Sequence, residues 1–183
     1  MKTFLEIGCA DFDTMIPLAA KGGWMGWCVE PMPHFTKNLR RMASGLPVGI
    51  CEQAISDYNG EIEMAVGQGE RWATGCSHCI SDNHTGDRTL DNPEWSARRQ
   101  GEIKVKCTTL DTFLITNGIT SIDFCKIDVE GHEEAILKDY SWRVKPAFMK
   151  VEHWHSKGNV LDTILERQGY TIYVDEVDIY AVL

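Results

Sequence analysis

No stretch of this 183-residue chain approaches the roughly 18 uncharged apolar residues that a membrane-crossing helix needs. The amino terminus, Met1-Lys2-Thr3-Phe4-Leu5-Glu6, loses its apolar run at Glu6, so a secretory leader is not expected. Positive charge is scarce: 18 Lys and Arg stand against 27 Asp and Glu, a formal net charge of −9. Nucleic-acid backbones and anionic lipid surfaces both need cationic partners, so neither is an expected partner. The seven cysteines make an odd number, and Cys9, Cys28, Cys51, Cys107 and Cys125 each sit alone in an apolar run. That is no disulfide framework. Free buried cysteine behaves as a small hydrophobe, and the expected compartment is reducing and cytoplasmic. A GxxxxGK[ST] phosphate loop, internal repeats and low-complexity tracts are also missing.

What is there reads as one domain over residues 1–183, because 43% hydrophobic and 25% charged residues suit a globular core of that size. Apolar runs at Phe4–Ala10, Trp24–Val29, Val48–Ile55, Ile103–Cys107, Ile122–Val129, Ala147–Val151, Tyr170–Val174 and Ile179–Leu183 read as strands. Glu61–Val66 alternates polar and apolar residues, the pattern of a half-buried strand. Helices are expected from Asp13 as cap to about Lys21, around Phe35, Leu39 and Met42, after a capping box at Thr108-x-x-Asp111, from Glu133 to about Lys138, and over Asn159–Gln168. Strands alternating with helices predict an α/β fold, an open, mostly parallel sheet covered on both faces. Residues 67–102 show no apolar period and read as a long loop, a candidate substrate lid.

Open α/β sheets bind ligands beyond the carboxyl ends of their strands. Gly8 ends the first strand, and Glu30 ends the second, 22 positions later. An acidic residue at that place suits the hydroxyls of a ribose. The loop Gly8-Cys9-Ala10-Asp11-Phe12-Asp13 lacks the second and third glycines of a dinucleotide fingerprint, and its two aspartates would repel a diphosphate. A nicotinamide dinucleotide is therefore disfavoured. S-adenosylmethionine, with a cationic amino group, a sulfonium and a ribose but no phosphate, suits an acidic loop better.

The segments FLEIGCADFDT (Phe4–Thr14), VEPMP (Val29–Pro33), AISDYNGEIEM (Ala54–Met64), TLDTF (Thr109–Phe113), KIDVEGHEEAIL (Lys126–Leu137) and VEH (Val151–His153) follow one another along nearly the whole chain. In them the chain resembles the FkbM-type S-adenosylmethionine-dependent methyltransferases. The resemblance implies a Rossmann-like class I methyltransferase fold, with a seven-stranded sheet whose last strand is antiparallel. It implies S-adenosylmethionine as cofactor and methyl transfer to a hydroxyl of a sugar, glycan or small metabolite. It places Glu6, Gly8 and Asp11 near the methionine moiety, Glu30 on the ribose, and Ser56 and Asp57 by the adenine. Lys126, Asp128, Glu130, Gly131 and Glu133 are the signature after the fourth strand of the sheet. Phe12 stands where a second glycine is frequent in the family, and Glu6 where an aspartate is common. Many members also carry an N-terminal extension, so in this chain acceptor recognition is expected to fall on other segments.

A hydroxyl acceptor calls for a general base. Asp128, Glu130 and His153 are the candidates, with His153 preferred because imidazole titrates near neutrality. Lys126, Asp128 and Glu130 alternate and so share one strand face; the plainer expectation for Lys126 and Glu133 is a buried lysine–carboxylate pair and a bond that fixes the turn. His155, Trp72 and Trp95 are the candidate acceptor-binding residues. Cys76-Ser77-His78-Cys79 with His84 lacks a second ligand pair for zinc. Asp128, Glu152 and His155 are the set that a carboxylate–histidine metal would use, but no metal is expected. The contending functional classes are a non-catalytic module that binds S-adenosylmethionine or an adenosine compound, and a nucleotide-dependent oxidoreductase. A homodimer stays open.

Overall fold

The computed structural model describes residues 1–67, 78–79, 99–156 and 158–183. Its elements run β1 Lys2–Ile7, α1 Ile16–Ala20, β2 Trp24–Val29, α2 Pro33–Met42, β3 Val48–Cys51, β4 Ala54–Ser56, β5 Gly60–Gly67, β6 His78–Cys79, β7 Arg99–Thr109, α3 Leu110–Thr116, β8 Phe124–Ile127, α4 Glu133–Asp139, β9 Phe148–Glu152, α5 Val160–Arg167, β10 Thr171–Val174 and β11 Asp178–Val182. Seven strands form the main sheet in the order β10-β11-β9-β8-β1-β2-β3. All its neighbours pair in parallel except β11, which runs antiparallel to both β9 and β10. This is the seven-stranded, Rossmann-like sheet expected of a class I methyltransferase, last strand included.

Period-two alternation sorts the core onto two faces. Leu5, Ile7, Cys125, Ile127, Met149, Val151, Ile179 and Ala181 pack on one side with Leu110, Phe113 and Leu114 of α3, Ile136 and Leu137 of α4, and Leu161 and Leu165 of α5. Phe4 and Cys28 face the other side, with Ile16 and Ala19 of α1 and Leu39 of α2. Fully burying side chains of this size is worth about 1.5–3 kcal/mol each, and that burial fixes the strand register against a slip. The chain order reverses at β1, which has β2 on one side and β8 on the other. A crevice opens at such a point, above the carboxyl ends of the strands.

Four other strands make a second sheet, in the order β4-β7-β5-β6. The sequence does not announce it. The apolar run Val48–Ile55 divides: β3 joins β2 in the main sheet, whereas β4 pairs with Cys107–Thr109 of β7. β7 begins at Arg99, so residues 99–102 of the expected loop are strand. The half-buried strand read in Glu61–Val66 is β5, antiparallel to β7. Two caps also differ. Thr109, not Thr108, accepts the Thr112 amide at the start of α3, and the Thr108 hydroxyl bonds Asn59. The first helix starts at Ile16 and not under an Asp13 cap; the Met15 amide ahead of it is taken by Glu6.

Candidate active site

A pocket opens above the junction of β1, β2 and β8. The backbone of Gly8–Ala10 forms one wall. Gly8 has φ +75°, and a Cβ there would stand 1.8 Å from the Asp128 carbonyl oxygen, so only glycine lets the loop leave β1 while packed on the end of β8. At the pocket floor lies Glu30, buried at 5% exposure. Its Oε2 accepts the Ala10 amide at 2.9 Å and its Oε1 accepts the Met32 amide at 2.8 Å. Each oxygen retains a lone pair for a further donor. Burial pushes the Glu30 carboxyl up to about 7, against the pull of the backbone amides of Met32, Ala10 and Cys9. On one side the pocket is apolar: Met32 and Phe35 near the start of α2, Ala54 and Ile55 of β4, and Ile62 and Met64 of β5. On the other it is acidic, with Asp13, Asp128 and Glu130.

Lys126 holds the acidic side together. It is 5% exposed. Its Nζ donates to Asp13 Oδ2 at 2.7 Å and to the Asp13 carbonyl at 3.0 Å, and lies 3.7 Å from Glu6 and 3.6 Å from Asp128. Burial works to lower its pKa, but the carboxylates of Glu6, Asp128 and Asp13 overcome it and hold the ammonium charged. Burial likewise raises Asp128; Lys126 opposes this, while Glu130 and Asp13 reinforce it. Glu133 clasps the turn after β8, Oε1 accepting the Val129 amide at 2.8 Å and Oε2 the Gly131 amide at 3.1 Å. Lys126 and Glu133 thus have the pairing and turn-fixing roles that the plainer sequence reading gave them.

The expected site residues separate into two groups. Gly8, Glu30, Asp128 and Glu130 line the pocket together. Glu6 lies behind it, fully buried, its Oε2 accepting from Thr14 Oγ1 at 2.8 Å and from the Met15 amide at 2.9 Å, so it braces the loop after β1. Asp11 turns to α2 and accepts from Asn38 Nδ2 at 2.5 Å. Ser56 and Asp57 bond each other, and Ser56 Oγ lies 3.0 Å from Nε2 of His132, which does line the pocket. His153 turns away, its Nε2 3.0 Å from the Asp175 carbonyl in the β10–β11 turn. His155 instead points inward, buried, with Nε2 3.0 Å from Glu130 Oε2. Trp72 and Trp95 lie outside the described residues, as do Cys76, Ser77 and His84. The sequence reading missed Asp13 as the partner of Lys126, and it missed His132 and the apolar wall. The alternation of Glu61–Val66 held a signal for that wall, since its inward residues are Ile62 and Met64.

S-adenosylmethionine suits this donor set. Glu30 offers two anchored carboxylate oxygens for ribose hydroxyls, the apolar wall can cover an adenine ring, and the acidic side suits a cationic methionine end. The one cation lining the pocket among the described residues, Lys126, is already shared by three carboxylates, which leaves nothing for a diphosphate.

Comparison with known proteins gives three findings. The family described as "Methyltransferase FkbM domain" matches residues 6–172. The 2-O-methyltransferase NoeI of Sinorhizobium fredii (strain NBRC 101917 / NGR234) is 30% identical over 139 residues, 73% of this chain and 55% of that protein, so the chain spans about half the length of this curated relative. Among solved structures, the Methanococcus jannaschii fibrillarin pre-rRNA processing protein aligns with 99% of this chain and 66% of its own, at 12% identity and a TM-score of 0.48. A Leishmania major protein described as a SAM-dependent methyltransferase aligns with 100% of this chain and 65% of its own, at 11% identity and a TM-score of 0.42.

Proposed function

The chain belongs to the FkbM methyltransferase family, whose expected cofactor is S-adenosylmethionine, and from that premise we propose that it transfers a methyl group to a hydroxyl of a sugar, glycan or small metabolite. The observation that carries the reading is Glu30: a buried carboxylate at the end of β2, held by the amides of Ala10 and Met32, in a pocket that also contains Asp128 and Glu130. The printed activity of NoeI, 2-O-methyl transfer, supports an oxygen acceptor.

Bound S-adenosylmethionine supplies an electrophilic methyl on a sulfonium. In the displacement an O–C bond forms, the C–S bond breaks with its electron pair going to sulfur, and the hydroxyl proton leaves. The residues do the rest. Glu30 holds the ribose and thereby sets where the methyl points. Asp13, neutralised in part by Lys126, stabilises positive charge at the methionine end. Asp128 takes the hydroxyl proton, because it lines the pocket and burial raises its basicity above that of an ordinary carboxylate. Positioning the acceptor oxygen within about 3–3.5 Å of the methyl carbon is the largest demand on the acceptor side. Residues 67–98 and the unassigned mouth are where acceptor contacts, including any by Trp72 and Trp95, are to be sought. The chain's own partner is then a small-molecule or glycan acceptor.

The test is incubation of the protein with methyl-labelled S-adenosylmethionine and a panel of sugars, oligosaccharides and small alcohols. Labelled ether product with stoichiometric S-adenosylhomocysteine is expected. Label recovered on nitrogen or sulfur would overturn the hydroxyl acceptor. Cofactor binding without turnover on any acceptor would favour the non-catalytic module.

A further inference from the structure

Where β8 and β9 leave the main sheet, three side chains converge that the methyl-transfer reading leaves largely unused. Glu152 is the last residue of β9, His155 follows three positions later, and Glu130 sits in the turn after β8. Their ligand atoms all lie within 4.8 Å of one another. Glu130 reaches this point with φ +57°, and Gly131, at φ +101°, passes so close that a Cβ there would stand 3.2 Å from the His155 Cβ. The turn is packed onto the imidazole, which is buried at 6% exposure.

Charge at this spot is out of balance. The carboxylates of Asp128, Glu130 and Glu133 all bear on Glu152 there. Glu133 is satisfied by two backbone amides. Lys126 is committed to Glu6, Asp13 and Asp128, and none of its described ion pairs reaches Glu152. Oε2 of Glu152 is buried and has no hydrogen-bond donor among the described residues. A desolvated carboxylate oxygen without a donor is costly unless it takes up a proton or meets a cation, and the two further ligand atoms within 4.8 Å favour the cation. The donor types then choose the cation. Two carboxylates with one imidazole suit a first-row divalent ion such as Mn2+, Fe2+ or Zn2+, whereas Ca2+ favours six to eight oxygens.

We propose that Glu130, Glu152 and His155 form a divalent-cation site at the mouth of the pocket. Because Glu130 also lines the pocket, a cation there stands beside Asp128 with coordination positions left for an outside oxygen. Its role in catalysis rests on the hydroxyl-methylation reading above: the ion binds the acceptor hydroxyl, lowers its pKa and orients it, and Asp128 takes the proton.

The site itself is tested without cofactor or acceptor. The full chain is titrated with Mn2+ while the electron paramagnetic resonance signal of free aqua Mn2+ is followed, and the bound ion is examined for nitrogen coupling. One Mn2+ per chain, coupled to an imidazole nitrogen, is expected. His155→Gln should abolish the coupling. Glu152→Gln should weaken binding by roughly tenfold or more, and Glu166→Gln, an exposed acid of α5, should leave it unchanged. Thermal unfolding and S-adenosylmethionine binding report whether each variant is folded. Absence of binding at millimolar Mn2+, or bound Mn2+ without nitrogen coupling in the unsubstituted protein, overturns the site and requires no variant to fold. Methyl transfer that proceeds at an unchanged rate with no ion bound overturns the ion's catalytic role while the functional reading stands. A bound, nitrogen-coupled ion without methyl transfer to any acceptor supports the site and overturns the functional reading.

Discussion

Single side chains divide the acidic end of the pocket into holders and a proton acceptor. Lys126 is a holder: buried and shared by Glu6, Asp13 and Asp128, it keeps three negative groups close without being available to a ligand. Glu30 is another, because two backbone amides fix its orientation before any ligand arrives. Asp128 differs, since burial lifts its pKa and its carboxylate faces the pocket. If it takes the hydroxyl proton, it must be ionised, so kcat/KM should rise with pH through a value above the ordinary carboxylate range. Asp128→Asn should then lower kcat by about 10²- to 10⁴-fold and remove that rise, with S-adenosylmethionine affinity changed far less. A pH profile and a kinetic comparison check this; an Asn variant with near-normal kcat would assign the base elsewhere. Gly8, Glu30, Asp128 and Glu130 were legible from sequence because each stands within three residues of the carboxyl end of a strand of the main sheet, and a strand end is a local signal. His153 and His155 were not separable that way. Beyond Glu152 the chain leaves the strand, period-two alternation no longer says which imidazole turns inward, and contacts with Glu130 and Asp175 decide it.

Elements were legible where their cores are local. The strand–helix succession and the helix after Glu133 follow from patterns a few residues long, whereas the antiparallel last strand was implied by the family resemblance. The second sheet did not, because its pairings join residues far apart: Ala54 opposite Cys107 and Ile62 opposite Val105. No local pattern distinguishes β4 as an extension of β3 from β4 as a strand of another sheet. Ser56 and Asp57, expected at the adenine, stand at the end of that strand. With β4 paired to β7, Ser56 bonds His132, and it is Ala54 and Ile55 that face the pocket. The start of α3 shows the same limit on a smaller scale. Thr108 was the expected cap, but its hydroxyl is claimed by the Asn59 side chain and Thr109 caps the helix instead. Thr109→Ala should cost about 1 kcal/mol in chemical denaturation, since it removes the acceptor of the Thr112 amide. Thr108→Ala should act instead through the loss of its Asn59 bond. A Thr109→Ala variant as stable as the parent would mean that the helix start is satisfied by other groups.

At the scale of the whole molecule, the reversal of strand order at β1 gathers the carboxyl ends of β1, β2 and β8, and the acidic residues there set a pH dependence. Glu30 and Glu133 both have folded pKa values pushed up to about 7, by burial above all, from ordinary values of 4.5. Between those limits the folded state binds more protons than the unfolded chain, so the linkage slope is negative and stability falls as pH rises. Asp13 has the opposite sign: its bond to Lys126 lowers its pKa, and the stability it contributes is lost as pH falls below the ordinary aspartate range. The ligand-free protein should therefore have its highest Tm near pH 5 and a lower one at pH 8. Scanning calorimetry across that range checks it, and a Tm that climbs steadily from pH 5 to pH 8 would contradict the protonation of these buried carboxyls.

The central claim is that this pocket holds S-adenosylmethionine by its ribose through Glu30. Isothermal titration calorimetry of S-adenosylmethionine against the parent chain and Glu30→Ala tests it most directly. One-to-one binding is expected, weakened by at least about tenfold in the variant, as loss of a buried charged acceptor requires. Binding absent at millimolar cofactor, or equal in the two proteins while both remain folded, would contradict it.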